Sequence, residues 1–590
     1  MEEKRTVENE KTGCTESTEG PKAPRDPKAK RKSFYLMRNK DIMGSVQPDG
    51  KGIQFLYLDN RIESFARIIG NIEDDEILEL LHTAEGFRRL VHSIGVTVEL
   101  TEGKGREAEF VFQMYGRTDP NISGTQIRVP VKADGMERVI ELAQYRWSQD
   151  DAVPGQIRFE FPEAGTMARI SVRLYLQDGF DVPEDKQDGE ADLESPYYEK
   201  MLEKSLVQMG NPARLQRAID RARSGKDVTV AFIGGSITQG AGAIPINREC
   251  YAYKTFQQFC ALVGKGTDEN IHYIKAGVGG TPSELGMLRY ERDVLRDGSV
   301  TPDIVVVEFA VNDEGDETKG ECYDSLVRKI LAAENRPAVI LLFAVFADDW
   351  NLQERLSPVG RAYGLPMVSV RDAVVEQFYR KPGEGKVFGK NLFFYDCYHP
   401  TNLGHRVMAD CIGHLFRLAD KMPRQEDTLE TGDVVPPLGG EFESVKLFDR
   451  KMQVDDISVN CGSFREWDQE LQAVEMDRNL EPVKEFPYNW MYQGGKREDE
   501  DVIQPFSMDI TCSALLLIYK DSGSNTAGRA EVWVDGEKLL TADPRVNGWT
   551  HCNPAICFRG RESVRHHVEV RMEPGSESKE FTILGFGYVV

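Results

Sequence analysis

The chain has 590 residues, 40% of them hydrophobic, and a formal net charge of −24. Single hydrophobic cores stop growing at roughly 250–300 residues, so we expect two or three domains. The negative charge argues against non-specific binding to nucleic acid or to anionic membranes. No apolar run approaches the ~18 residues of a membrane span, and no apolar segment near Met1 resembles a secretory signal. The ten cysteines include no Cys-x-x-Cys pair. We therefore expect reduced thiols and a cytoplasmic protein.

The first part of the chain changes character at about residue 33. Residues 1–32 are rich in Glu, Lys, Thr, Gly and Pro, a composition that predicts a disordered tail. Residues 33–190 contain short apolar or alternating segments separated by Gly, Pro, Asp and Asn. This spacing predicts an N-terminal β-sandwich of jelly-roll-like type, interrupted by a helix around 74–90. An acidic linker over 186–195 follows.

The middle region, residues 196–420, alternates apolar strands with amphipathic helices. The first strand is Val228 to Ile233, and further strands are predicted at 271–274, 304–309, 339–346 and 366–370. Continuous apolar strands between helices indicate a parallel sheet covered on both faces, which is an α/β architecture.

The last part of the chain returns to short strands. Residues 421–436 are polar and Pro-rich and predict a second linker. Residues 437–590 predict a C-terminal β-sandwich, in which Asp535-Gly536 marks a two-residue hairpin turn.

Three polar or glycine-rich segments follow the first three strands of the middle region. Ser236 stands in Gly234-Gly235-Ser236 at a strand-to-helix turn, where its hydroxyl would be exposed at the carboxyl end of the sheet. Gly279-Gly280 follows the second strand, and its backbone N–H groups are suited to an anionic intermediate. Asn312 ends the third strand, and its side-chain amide is a further donor. Each segment taken alone is more typical of an ordinary turn.

A fourth segment supplies a candidate base. His399 follows Asp396 by three residues, a spacing at which the carboxylate holds the imidazole in one tautomer. His405 is the alternative base, although packing or capping of the following helix is favoured for it. A metal site formed by Cys397, His399 and His405 is a weaker interpretation, since no second ligand cluster supports it.

Taken together and in this order, the four segments resemble the SGNH (GDSL-type) hydrolase superfamily over about residues 225–420. In that family the blocks carry a Ser, a Gly, an Asn and an Asp-x-x-His, matched here by Ser236, Gly280, Asn312, and Asp396 with His399. Gly279 is the other candidate for the second block. The common Gly-Asp-Ser is Gly-Gly-Ser here, a variant similar to carbohydrate-esterase-like branches that often carry β-sandwich domains.

The resemblance implies a flavodoxin-like three-layer α/β/α hydrolase domain with no cofactor or metal. It implies that Ser236 is the nucleophile, His399 the base and Asp396 its orienting group, with an oxyanion hole formed by Ser236, Gly280 and Asn312. The implied reaction is removal of short acyl groups, above all O-acetyl, from carbohydrate such as acetylated plant-glycan oligosaccharides.

Two aromatic residues are candidates for substrate binding. Trp350 follows a strand end and could stack on a sugar ring, and Tyr251 could line the pocket; for both, packing is the open alternative. The expected partner is an acetylated oligosaccharide, without nucleic acid or membrane, and a homo-oligomer stays open. The alternative functions are a lipase or thioesterase with a preference for longer acyl chains, or a glycan-binding protein with an inactive hydrolase domain.

Overall fold

We describe the protein from a computed structural model. The residues it describes are 31–46, 52–57, 61–102, 107–118, 123–183, 189–266, 269–381, 383–494 and 503–590. The tail predicted over residues 1–32 lies outside these ranges except for its last two residues. The described residues form two compact units. The first runs up to Ala191 and includes Phe388–Thr401; the second comprises Asp192–Val387 and Asn402–Val590.

The N-terminal unit contains two antiparallel sheets, with strand orders β1-β9-β4-β7 and β2-β3-β8-β5-β6. Residues of both sheets share one core, for example Phe34 and Ile94 with Phe110 and Ile157. The region is thus a β-sandwich. Its strands β1–β9 are Ser33–Met43, Ser45–Val46, Ile53–Tyr57, Val91–Glu102, Glu107–Gly116, Gln126–Lys132, Arg138–Glu141, Asp151–Glu160 and Met167–Leu176.

Three short helices occur where the sequence predicts one around 74–90. They are α1 Ile62–Ile68, α2 Asp75–Leu81 and α3 Ala84–Leu90. The break between α2 and α3 has a local cause. Thr83 is extended and its hydroxyl accepts a hydrogen bond from the Gly86 N–H, so it starts a new helix as an N-cap.

The middle region is built on a six-stranded sheet of order β10-β15-β14-β13-β11-β12. All its pairs are parallel except the edge pair β10–β15. The strands β10–β15 are Leu206–Gln208, Val228–Gly234, Ile271–Gly277, Ile304–Glu308, Ala338–Phe343 and Met367–Ser369. The helices α4–α14 are Pro196–Lys204, Ala213–Arg223, Ser236–Gln239, Ile246–Glu249, Tyr251–Val263, Ser283–Asp293, Glu321–Leu331, Gln353–Ala362, Val370–Tyr379, Lys390–Phe393 and Asn402–Lys421.

Strand β11 is the point where the strand order reverses, since β12 lies on one side of it and β13 on the other. Open α/β sheets bind ligands at such switch points, beyond the carboxyl ends of the strands. Ser236 follows β11 directly. The antiparallel edge strand β10 was not predicted, because three residues are too few to give a readable pattern.

The C-terminal region again has two antiparallel sheets around one core, with strand orders β16-β27-β22-β25 and β17-β21-β26-β23-β24. In the first sheet β20 also pairs with β27, and β18 and β19 form a separate two-stranded sheet. The predicted turn is confirmed, since Asp535 and Gly536 have φ of 53° and 83° between β23 and β24. The strands β16–β27 are Lys446–Phe448, Ser458–Asn460, Ala473–Val474, Val483–Lys484, Trp490–Gln493, Phe506–Cys512, Ala514–Asp521, Ala530–Val534, Glu537–Ala542, His551–Phe558, Val564–Met572 and Glu580–Val589.

Two chain-wide features bear on the sequence expectations. The nine cysteines in the described ranges are all free thiols, and eight of them are buried. Among the described helices, none combines the length and apolar character required to cross a membrane.

Candidate active site

Ser236 lies at the sharp turn between β11 and α6. The last five residues of the strand are buried, whereas Ser236 is half-buried. The carbonyl of Gly234 accepts a hydrogen bond from the Val278 N–H at 3.1 Å, and the carbonyl of Gly235 accepts one from the Gln239 N–H at 3.0 Å. The turn is therefore joined to the end of β12 and fixed by its own short helix.

The side chain of Asn312 lies against the Cα of Gly235. A Cβ at position 235 would lie 2.1 Å from Asn312 Oδ1 and 2.9 Å from Nδ2. A glycine before Ser236 thus provides the space for the Asn312 amide beside the serine.

The two candidate glycines in the loop after β12 differ in hydrogen bonding and in backbone conformation. The Gly279 N–H donates to Gln239 Oε1 at 3.0 Å. Gly280 has φ of 68°, a left-handed conformation suited to glycine. Among the described residues its N–H has no acceptor. The geometry therefore favours Gly280 over Gly279 as an oxyanion donor.

The C-terminal region contacts the same loop through two side chains that the sequence analysis did not identify. Gln472 Nε2 donates to the Gly279 carbonyl at 2.8 Å, and its Oε1 accepts from the Cys552 N–H at 3.0 Å. The indole of Trp549 lies 2.5 Å from where a Cβ of Gly280 would be. No motif marks Gln472, but Asn547-Gly548-Trp549 is a turn sequence that ends in a large aromatic residue, a signal that could have been used.

A buried arginine joins the two strand ends that carry these loops. The guanidinium of Arg289 is 0% exposed and donates to the carbonyls of Gly234 and Ala276, both at 2.7 Å. Asp293 pairs with it at 3.2 Å. Because an unpaired buried charge is costly, this arrangement fixes the ends of β11 and β12 relative to one another.

Asp396 and His399 form a close pair. His399 Nδ1 lies 2.8 Å from Asp396 Oδ2, while Asp396 Oδ1 accepts from the N–H groups of Tyr398 and His399 at 2.8 and 2.7 Å. Burial favours a raised pKa for Asp396, but the His399 ring and these hydrogen bonds outweigh it and lower that pKa below its ordinary value. The carboxylate is thus ionised and fixes the imidazole with Nδ1 towards it.

The two groups of candidate residues fall in different units. Ser236, Gly280 and Asn312 belong to the second unit, whereas Asp396 and His399 belong to the stretch Phe388–Thr401 of the first. The structure brings together the members within each group. Their joint action is a proposal.

Tyr251 is not a pocket residue. Its side chain is 0% exposed, and Thr238 Oγ1 donates to Glu308 Oε2 at 3.0 Å, which leaves the Tyr251 hydroxyl as donor to Thr238 at 2.8 Å. Tyr251 is a core residue at the start of α8, so its assignment to substrate binding is wrong. Burial raises the pKa of Glu308 to about 7.

His405 is engaged at both ring nitrogens. Nδ1 accepts from the Tyr251 N–H at 3.1 Å, and Nε2 donates to the Ala241 carbonyl at 3.0 Å. His405 is a buried residue of α14 that accepts a hydrogen bond from the first residue of α8, so it caps α8 and not the following helix that the sequence analysis named. The same contacts oppose a metal site with Cys397 and His399. Within the described ranges, a different group has metal-ligand spacing, namely buried Glu284, Asp316 and Cys322.

Trp350 is partly exposed and stacks on Phe346, with ring centroids 5.9 Å apart. Its backbone N–H bonds to Asp348 Oδ1, and the indole also packs on the domain core. Its role in substrate binding stays a prediction.

Comparison with known proteins agrees with the four motifs. Residues 232–407 match the GDSL-like Lipase/Acylhydrolase family. Among solved structures, the chain is similar to a two-domain esterase active on acetylated mannans. The two share 25% sequence identity and superpose with a TM-score of 0.53, over 66% of this chain and 98% of that one. The same esterase crystallised with mannopentaose is 24% identical, with a TM-score of 0.53, over 66% and 97% of the two chains. No curated protein sequence shows significant similarity.

The middle region is therefore an SGNH (GDSL-type) hydrolase domain, and the chain carries additional sheet-rich domains before and after it. The protein belongs to the carboxylic ester hydrolases, as the order of the four motifs predicts.

Proposed function

We propose that this protein is a serine esterase that removes acetyl groups from O-acetylated oligosaccharides through an acyl-enzyme. The observation that carries the proposal is the donor site beside Ser236. There the Gly280 N–H has no acceptor among the described residues, and the Asn312 amide lies on Gly235. Such preorganised donors stabilise the charge that develops on an ester oxygen during acyl transfer.

In the proposed reaction, Ser236 Oγ attacks the ester carbonyl carbon while His399 accepts its proton. Because Asp396 holds Nδ1, the proton moves to Nε2, and Asp396 stabilises the imidazolium. The carbonyl oxygen becomes an oxyanion bound by the N–H groups of Ser236 and Gly280 and by the Asn312 amide. The sugar oxygen then leaves with the proton from His399. Water, deprotonated by His399, then attacks the acetyl carbonyl; the bond to Ser236 Oγ breaks, His399 returns the proton to Oγ, and acetate is released.

The position of Trp549 favours a short acyl group and a sugar substrate. Its ring fills the space beside Gly280, which limits the room next to the oxyanion donors. The ring is 37% exposed and stacks on His551 at 4.6 Å, and His551 also bonds to the Trp549 carbonyl. A partly exposed, firmly held indole next to the donors is suited to stack on a sugar ring. The similarity to an esterase active on acetylated mannans supports the same substrate class.

The decisive experiment compares wild type with Ser236→Ala on acetylated mannan, xylan and chitin oligosaccharides, with acetate release as the readout. We expect Ser236→Ala to abolish release while its circular dichroism and melting temperature match wild type. Near-full activity in a folded Ser236→Ala protein would overturn the proposal.

A second experiment tests the acyl group. We expect wild type to hydrolyse 4-nitrophenyl acetate faster than the octanoate ester. A preference for octanoate would instead indicate a lipase or thioesterase. No turnover of either ester, with glycan binding unchanged in Ser236→Ala, would indicate a binding protein.

A further inference from the structure

We propose that Lys40, on the first strand of the N-terminal sandwich, is a positioning residue for the Asp396–His399 pair. The inference rests on the proposed function, because it assigns His399 the role of general base. It gives the N-terminal sandwich a part in catalysis that the hydrolase motifs do not suggest.

The first observation is the placement of Lys40 inside the sandwich. Met37 pairs with Val172 and Lys40 pairs with Ile170, so two residues of β1 lie opposite a single residue of β9. This is a β-bulge, and Asn39 within it has φ of 47° and donates its N–H to Ser171 Oγ. Since paired residues point to the same side of a sheet, Lys40 shares the core face of Ile170. It is only 4% exposed.

The second observation is what the ammonium group contacts. Lys40 Nζ donates to the Asn391 carbonyl at 3.0 Å and to the Phe394 carbonyl, and it lies 5.9 Å from the ring centroid of Tyr395. All three contacts are with the stretch 388–401 that carries the acid–base pair. Phe394 is two residues from Asp396.

Backbone contacts within the stretch link the residues around Phe394 to His399, so a contact that fixes Phe394 also restrains His399. The Tyr395 N–H donates to the His399 carbonyl at 2.7 Å, and Phe394 forms an isolated bridge with Pro400. Tyr395 belongs to the core of the sandwich and meets Phe55 edge-to-face at 6.1 Å. The guanidinium of Arg61 lies over the Tyr398 ring at 5.0 Å. Lys40 thus joins Phe55 and Arg61 in holding this stretch, and it does so through hydrogen bonds to backbone carbonyls.

The charge of Lys40 adds an electrostatic effect. Burial lowers the pKa of Lys40 to about 7, and the carboxylates of Asp396 and Asp41 act in the opposite direction. Among the described residues, the titratable groups that act on Lys40 or contact it are Asp396 and Tyr395 on the stretch it holds and Asp41, its neighbour on the same strand. Below about pH 7, where Lys40 is protonated, its positive charge near Asp396 favours the ionised carboxylate that orients His399.

The test uses the full-length protein with Lys40→Met, which keeps the length of the side chain but removes the charge and the donors. Lys132→Met, an exposed position on the same sandwich, is the control. Readouts are kcat and KM for 4-nitrophenyl acetate and the rate of inactivation by a fluorophosphonate, which requires an activated Ser236 but no deacylation. We expect kcat and the inactivation rate of Lys40→Met to fall by about 10- to 100-fold, with KM within twofold of wild type.

A pH profile separates positioning from a general loss of stability. Removing a positive charge near the acid–base pair favours the protonated base, so the acid limb of kcat/KM should move to higher pH in Lys40→Met. Lys40→Arg should recover part of kcat. If Lys40→Met unfolds, Lys40→Gln, which keeps a donor for the carbonyls, is judged by the same acid limb.

The outcomes distinguish this inference from the proposed function. Wild-type kcat, inactivation rate and pH profile in Lys40→Met, beside an inactive His399→Ala, would overturn the role of Lys40 alone. Full activity in His399→Ala would overturn the proposed function itself.

Discussion

The two β-sandwiches of this protein are similar in construction but contact different parts of the candidate catalytic set. Each consists of two antiparallel sheets around one core. The N-terminal sandwich contacts the stretch that bears Asp396 and His399, through Lys40 and Phe55. The C-terminal one contacts the glycine loop that follows β12, through Gln472 and Trp549.

The difference lies in the kind of contact. On the N-terminal side, a buried cation and aromatic packing hold the backbone of the acid–base segment, while Lys40 itself is buried. On the C-terminal side, one amide holds the Gly279 carbonyl and one partly exposed indole lies beside Gly280. We therefore expect changes on the first side to affect turnover, and changes at the exposed indole to affect mainly substrate binding.

Among the changes that test this comparison, the largest effect is expected for Asp396→Asn. The carboxylate accepts from two backbone N–H groups and faces His399 Nδ1, and an amide there would favour the wrong imidazole tautomer. We expect kcat to fall by roughly 10³- to 10⁴-fold, measured with 4-nitrophenyl acetate. Glu109→Gln, at a half-buried carboxylate on β5 of the same unit, is the control. A folded Asp396→Asn protein with more than a tenth of wild-type kcat would contradict the role of this pair.

The pairing of Asp396 with His399 can be predicted from the sequence, because the two residues are only three positions apart. The same holds for Ser236, Gly280 and Asn312, which follow successive strands of one recognisable sheet. Lys40 and Trp549 could not be predicted in this way. Each lies more than 200 residues from the group it contacts, and such contacts follow from tertiary packing rather than from a local pattern. The prediction that Tyr251 lines the pocket fails because it relied on closeness to the motif in sequence. Packing at the start of α8 buries the side chain.

The second prediction concerns Gly235→Ala. The new Cβ would lie 2.1 Å from Asn312 Oδ1, so the amide must move away from Ser236. We expect kcat to fall by about 10²-fold, close to the roughly 10²- to 10³-fold loss expected for Asn312→Ala. Because both changes remove the same donor, the double variant should be little worse than Asn312→Ala alone.

The control for Gly235→Ala is Gly315→Ala, where an added Cβ meets no atom within 4 Å. Wild-type turnover in Gly235→Ala, or full additivity in the double variant, would contradict the placement of Asn312 as an oxyanion donor.

The third prediction tests the C-terminal side. Trp549→Ala removes a partly exposed ring beside Gly280, so we expect KM for an acetylated oligosaccharide to rise by about fivefold to tenfold, roughly 1 kcal/mol. KM for 4-nitrophenyl acetate should change little, since it offers no sugar ring. Trp467→Ala removes an exposed indole of the same unit and is the matched control. Equal loss for both substrates would indicate that Trp549 supports the loop rather than the sugar.

The last prediction concerns stability instead of activity, at the end of β13, where Glu308 accepts a hydrogen bond from Thr238 of the hydrolase domain and neither sandwich supplies a described hydrogen bond to it. Burial raises the pKa of this carboxyl from 4.5 to about 7. Between these two values the folded protein binds a proton that the unfolded chain has released, so stability falls as pH rises through this interval. The full difference in the free energy of unfolding is on the order of 3 kcal/mol.

Glu308→Gln cannot titrate, so its Tm should equal that of wild type near pH 4.5 and exceed it at pH 8. Buried carboxyls such as Glu284 titrate in both proteins and cancel in the comparison, whereas the pKa of Asp313 is raised mainly by burial and in small part by Glu308 itself. Glu314→Gln, an exposed position, should show a difference from wild type that does not change with pH. A pH-independent difference in Glu308→Gln would mean that Glu308 is ionised in the folded protein throughout this range.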